Sequence, residues 1–179
     1  MSKRVLCLLA PGFEEIETIT PVDLLRRAAV DVTVAALGGN LLVTGRSNIS
    51  VRADALLEDV DTGAFDLLFL PGGPGVKGMR DDGRPASLAR EFAAAGKLVS
   101  AICAAPTILH DAGLLAGMAY TSHFSVRNEL TNASDDWVVV DGGLITSRGA
   151  GTALDFGLEL VRTLCGSEKA DEVAASIMA

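Results

Sequence analysis

The sequence predicts an α/β protein built on a mainly parallel sheet. Apolar runs of strand length alternate with helical patterns along the whole chain, as strand–helix–strand units require. Four chemically unusual places, the stretches 11–17 and 71–75, Cys103 and His123, each fall just past a predicted strand. In an open parallel sheet those strand ends share one edge, where ligand crevices form. A length of 179 residues without repeats, low-complexity tracts or long linkers suits a single domain spanning 1–179.

Residues 5–10 are the first strand, an unbroken apolar run. Thr20-Pro21 is expected to open a helix over 22–29, because proline suits a first helical turn. Leu24 and Leu25 then face inward, while Arg26 and Arg27 complement the helix dipole. Residues 32–37 are the second strand, ended by Gly38-Gly39. Residues 49–53 alternate enough for an edge strand or hairpin arm. Residues 66–70 form a buried strand running into Pro71-Gly72-Gly73-Pro74-Gly75. A helix over about 85–95 leads to the strand 98–102. The helix after Cys103 runs to Ala112 and stops at Gly113. Residues 119–121 read as a short strand with His123 two positions beyond. Residues 137–140 and 144–146, joined by Asp141-Gly142-Gly143, read as a hairpin. Helices over about 152–164 and 168–178 complete the chain.

Composition excludes several function classes. Hydrophobic residues make up 49% of the chain, yet no apolar stretch approaches the ~20 residues of a spanning helix. The apolar run after Ser2-Lys3-Arg4 is too short for a signal peptide, so a cytoplasmic protein is expected. Three unevenly spaced cysteines make no disulfide framework. With no Cys-x-x-Cys and two histidines, no metal site is expected. A net charge of −8 argues against nucleic acid or an anionic membrane as the main partner.

Cys103 is the residue around which chemistry is expected. It stands where an apolar strand meets a helix whose first turn holds Pro106. Ala101 and Ala105 give the small-x-nucleophile-x-small spacing of a nucleophile elbow, where bulky neighbours would block the turn. Free N–H groups at a helix start favour a thiolate, the reactive form. Cys7, inside the first strand, and Cys165, ending an apolar helical face, read as inert. Glu14, Glu15 and Glu17 read by default as a solvated first helical turn. Glu17 instead points into the crevice if it precedes the main helix. Beside the sulfur one of the two acids keeps a proton, making Glu17 a general acid or base. Gly72 and Gly73 suit a tight turn, or backbone N–H groups that approach a ligand unobstructed. Gly73 with Ala104 would then form an oxyanion hole. His123 is a second proton carrier or a structural loop histidine. Ser147-Arg148-Gly149-Ala150-Gly151-Thr152 has the character of an anion-binding turn before a helix, without a full phosphate-loop spacing.

The segments Ala10-Pro11-Gly12-Phe13-Glu14-Glu15-Ile16-Glu17, Leu70-Pro71-Gly72-Gly73, Ala101-Ile102-Cys103-Ala104-Ala105-Pro106 and 146–152 together resemble the DJ-one (ThiJ/PfpI) superfamily, and most closely its DJ-one branch with bacterial YajL-like members. The resemblance implies a flavodoxin-like three-layer sandwich and a homodimer. It carries the reactive cysteine onto Cys103, its acid partner onto Glu17 and a nearby histidine onto His123, with Gly72, Gly73 and Ala104 as the backbone anion site. Arg27, Arg46 and Arg148 become interface or anion contacts. Ala104 stands where protease-like members carry histidine, so peptidase activity is not expected. Ala150 replaces a proline common in relatives, and the chain stops at Ala179 where animal members add a regulatory helix. The implied function is cofactor-independent chemistry on α-oxoaldehydes such as methylglyoxal, or on their amine and thiol adducts, through a Cys103 hemithioacetal. The alternative is a redox-responsive stress protein or chaperone whose Cys103 is oxidised to sulfinic acid.

Overall fold

The computed structural model describes residues 2–179. Its strands are β1 (Arg4–Leu9), β2 (Asp31–Ala36), β3 (Leu42–Thr44), β4 (Ser50–Arg52), β5 (Ala55–Leu56), β6 (Leu67–Leu70), β7 (Leu98–Ile102), β8 (Val138–Asp141) and β9 (Leu144–Ser147). Its helices are α1 (Glu15–Arg27), α2 (Val76–Asp82), α3 (Arg84–Ala94), α4 (Pro106–Asp111), α5 (Ala153–Cys165) and α6 (Ser167–Ser176). Seven strands form one sheet in the order β5-β2-β1-β6-β7-β9-β8, parallel throughout except for the β8–β9 hairpin. Setting aside the two-residue edge strand β5, the parallel strands run second-first-third-fourth-fifth, the flavodoxin-like order. No helix among the described residues is long and apolar enough to cross a membrane.

The sheet is covered on both faces, which explains why its strands are continuously apolar. Alternate residues of β1 serve opposite cores. Val5, Cys7 and Leu9 join Phe69 and residues of α1 and α5, while Leu6 and Leu8 join Leu68, Leu70 and residues of α2, α3 and α4. Phe69 is fully buried against Phe156, ring centroids 5.6 Å apart. Phe69→Ala is therefore expected to cost about 3–5 kcal/mol, read as a lower urea midpoint.

Three expectations are corrected. Helix α1 starts at Glu15, not at Pro21, which lies inside it. The Glu14 carboxylate caps the helix by accepting the Glu17 N–H at 2.8 Å, and Thr18 Oγ1 donates to the Glu14 carbonyl. That local cap outweighs the proline signal. Residues 119–121 form no strand; Thr121 makes a single bridge to Ser134. Residues 50–52 pair with β3 in a separate antiparallel hairpin, the hairpin-arm alternative. Helix α2 directly after the 71–75 turn and the short strand β5 went unread.

Candidate active site

The thiol sits at a strained bend. Cys103 follows the last residue of β7 with φ of +66°, a left-handed conformation that is costly for a side chain bearing Cβ. Strand β9 and the irregular segment at His123 hold it there: its N–H donates to the Ser147 carbonyl and its carbonyl accepts the His123 N–H, each at 2.8 Å. This is the sharp strand-to-helix bend expected from the small-x-Cys-x-small spacing. The loop after β1 is stitched to the loop after β6, with the Glu14 N–H donating to the Gly72 carbonyl and the Gly75 N–H to that of Gly12. The C-terminal ends of β1, β6 and β7 thereby close around one cavity of about 740 Å³.

Cys103, Glu17, Gly73, Ala104, His123 and Arg46 all line that cavity. Cys103 is 9% exposed and Glu17 only 1%. The backbone N–H groups of Gly73 and Ala104 favour the ionised sulfur. Gly72 lies against both side chains: a Cβ there would stand 2.2 Å from Glu17 Oε2 and 2.5 Å from Cys103 Cβ. Glu17 Oε2 is buried and has no hydrogen-bond partner among the described residues. Burial pushes the Glu17 carboxyl up to about 7, against the neighbouring Cys103 thiol and Gly72 N–H, which lower it.

One electrostatic expectation is corrected. Helix α4 does not by itself acidify the thiol. Burial first, and then an ionised Glu17, push Cys103 up to about 12, against the Gly73 and Ala104 N–H groups. Two buried acids in contact titrate as a unit, and burial of both keeps one proton in the pair near neutral pH. A thiolate is available there when that proton resides on Glu17.

His123 reaches the cavity through its backbone bond to Cys103, not from a strand end. Its Nδ1 accepts the Ser125 N–H at 3.3 Å, which leaves the ring proton on Nε2. Burial, Arg127 and Arg46 lower its pKa, so the ring is neutral at neutral pH. Gly149 packs against both: a Cβ there would lie 3.4 Å from His123 Cδ2 and 3.8 Å from Glu17 Oε1. The acidic cluster is not solvated as the default reading expected. Glu14 and Glu15 are buried, the first as the helix cap and the second accepting the Ser47 N–H at 2.8 Å. Arg148 faces an adjoining cavity, and Arg27 pairs with Asp23 at 2.8 Å, outside the thiol cavity. Cys7 is sealed in the core, its thiol pushed up by burial, and Cys165 is exposed at the end of α5, away from both cavities.

A family model described as the DJ-1/PfpI family matches residues 3–163. The chain belongs to the DJ-1/PfpI family. The dj-1beta protein of Drosophila melanogaster is 42% identical over 99% of this chain and 98% of its own length. A deglycase of Pyrococcus abyssi is 35% identical over 90% of this chain and 99% of its own. The solved structure of oxidized Toxoplasma gondii DJ-1 superposes with a TM-score of 0.94 at 31% identity, covering 99% of this chain and 98% of that one. In this DJ-1/PfpI chain the sequence reading missed the cavity wall contributed by α2. Arg80 there holds Asp111 bidentately at 2.7 and 2.8 Å and reaches Glu129 at 2.6 Å, tying α2 to α4 and to the segment that follows His123. No local motif marks that wall, because its partners come from distant parts of the chain.

Proposed function

We propose that the protein is a cofactor-independent enzyme acting on α-oxoaldehydes or their adducts, in the manner of a glyoxalase or deglycase. The thiolate of Cys103 attacks the aldehyde carbon and forms a C–S bond. The carbonyl electron pair moves to oxygen, where the Gly73 and Ala104 N–H groups stabilise it. Glu17 delivers its proton to that oxygen, giving a neutral hemithioacetal, and afterwards serves as the base for the next proton transfer. His123, neutral and on the same cavity, is the second group able to carry a proton. The observation that supports this reading most is the burial of Glu17 beside Cys103, with an Oε2 that has no other partner. The homologue named a deglycase is in keeping with it. Stoichiometric iodoacetamide treatment tests it: methylglyoxal consumption is expected to fall in step with alkylation of Cys103. Consumption that survives complete alkylation refutes the mechanism.

A second reading is favoured by the position of the other cysteines. With Cys7 sealed and Cys165 remote, an oxidised Cys103 has no resolving thiol and progresses to sulfenic and sulfinic acid. Intact mass after mild peroxide separates the two: one or two oxygens confined to Cys103, with negligible aldehyde turnover, favour a redox sensor.

The working form we propose is a cytoplasmic homodimer. Ile16 and Ile19 on α1, Leu42 on β3, Ile49 beside β4 and Leu154 on α5 are all exposed. These elements adjoin, since α1 packs on α5 and the 12–15 segment bonds to the 44–47 segment. Covering them suits a second copy of the chain. Light scattering after gel filtration is expected to give a dimer mass, and Ile16→Asp a monomer.

A further inference from the structure

The protein is poor in aromatic side chains, with six phenylalanines, one tryptophan and one tyrosine. Phe13, Phe65, Phe69, Phe92, Phe156 and Tyr120 are buried. The two that are exposed, Phe124 at 77% and Trp137 at 56%, line the same cavity, of about 470 Å³. This second cavity shares His123 and Ala150 with the thiol cavity as a common wall. Two large ring faces left in water at one place is a costly arrangement in a chain that buries all its others.

The charge there is equally specific. Arg148 lies with its guanidinium 5.7 Å from the Trp137 ring centroid. Its Nη1 donates to the Asp135 carbonyl at 2.9 Å, and among the described residues no carboxylate pairs with it. Arg127, beside it, is committed to the Asp135 carboxylate at 2.5 Å and to the Ser134 carbonyl at 3.0 Å. The Asp135 carboxylate feels both arginines, and the three groups together carry one net positive charge. Ser122, fully buried and lining the same cavity, has a hydroxyl without a partner. By contrast, the hydroxyls of Ser147 and Thr152 are used internally, on the Trp137 carbonyl, the Gly149 carbonyl and each other.

We propose that this cavity binds an aromatic carboxylate, with its ring against Trp137 and Phe124 and its carboxylate on the remaining N–H groups of Arg148. A planar fork on a planar anion favours carboxylate, and the single uncompensated charge favours a monoanion. The shared wall adds a consequence for substrate choice. A carbonyl adduct carried on an aromatic acid spans both cavities, with its carbonyl at Cys103 and its carboxylate at Arg148. That consequence rests on the thiol chemistry proposed above; the binding site itself does not.

Trp137 is the only tryptophan in the chain, so its fluorescence reports the surface it shares with Phe124 and Arg148 on one side and with Asp155 on the other; the Phe124 and Arg148 variants assign the change to this cavity. The wild-type protein is titrated with benzoate and with benzamide, its neutral counterpart, and the Cys103→Ser protein is titrated in parallel. Benzoate is expected to give a saturable change, with benzamide at least about tenfold weaker. Arg148→Gln is expected to remove the difference between the two probes. Phe124→Ala, at a site too exposed to disturb folding, is expected to weaken benzoate severalfold while leaving charge selectivity intact. The Cys103→Ser protein is expected to titrate as wild type, so failure of the thiol chemistry leaves this result standing. Quenching that never saturates, equal responses to the two probes, or selectivity unchanged in Arg148→Gln overturns the proposal.

Discussion

Gly72→Ala is expected to leave a folded protein in which both Cys103 alkylation and methylglyoxal turnover fall by about 100-fold or more. The backbone conformation at Gly72 permits alanine; the obstacle is space. The new methyl would lie 2.2 Å from Glu17 Oε2, 2.5 Å from Cys103 Cβ and 2.8 Å from the Ile102 carbonyl. The Glu17 carboxyl is a side-chain end that can swing away, but Cys103 Cβ and the Ile102 carbonyl cannot, because Cys103 is pinned through its own N–H and carbonyl. The carboxyl and the sulfur must therefore separate. Overpacking of this kind costs about 1–3 kcal/mol, so a modest fall in melting temperature should accompany a large loss of reactivity. Turnover near the wild-type rate in Gly72→Ala would show that contact between Glu17 and Cys103 is not needed.

Glu17→Gln is expected to move activity and stability in opposite directions. Turnover should drop about 10²–10⁴-fold, the usual contribution of a positioned general acid or base. Stability depends on the proton. Burial raises the first proton loss of the Glu17–Cys103 pair to about 7, from the 4.5 of an ordinary carboxyl, so between those values the folded state binds a proton that the unfolded state has lost. Stability then falls as pH rises through that window, by an amount on the order of 3 kcal/mol when the window is complete. The glutamine variant has no such proton to lose. Urea unfolding at about pH 5 and about pH 8 should show the wild type weaker at the higher pH and the variant nearly level.

What could be read from the chain follows from which interactions are local. The elbow was legible because Ala101, Cys103, Ala105 and Pro106 lie within six positions and constrain one another sterically. Gly72 and Gly73 were legible for a similar reason, as a turn between a buried strand and whatever follows it. The start of α1 was misplaced because Pro21 is a conspicuous local signal, whereas the deciding bond runs from the Glu17 N–H to the Glu14 carboxylate. The burial of Glu15 was illegible, since its partner is the N–H of Ser47 in a separate hairpin. His123 was placed near Cys103 for an incorrect reason. It arrives on an irregular segment tied to the Cys103 carbonyl, not at the end of a parallel strand. Of the second cavity only the 147–152 turn with Arg148 was legible; its aromatic walls were not, because Phe124 and Trp137 meet Arg148 only through the return of β8 and β9 to the sheet edge.

The central claim is that Glu17 and Cys103 share one proton and that the thiolate exists because the acid holds it. The pH dependence of Cys103 alkylation, in wild type and in Glu17→Gln, tests this most directly. Wild type should gain reactivity through an inflection near 7, where the pair loses its first proton, and then level off. In Glu17→Gln the sulfur is left with burial and only backbone donors, so the inflection should move to or above the ordinary thiol value of 9.0. The opposite shift, an alkaline inflection in wild type that falls on removing the acid, would mean that Glu17 carries the charge and the thiol the proton. That result would contradict the account.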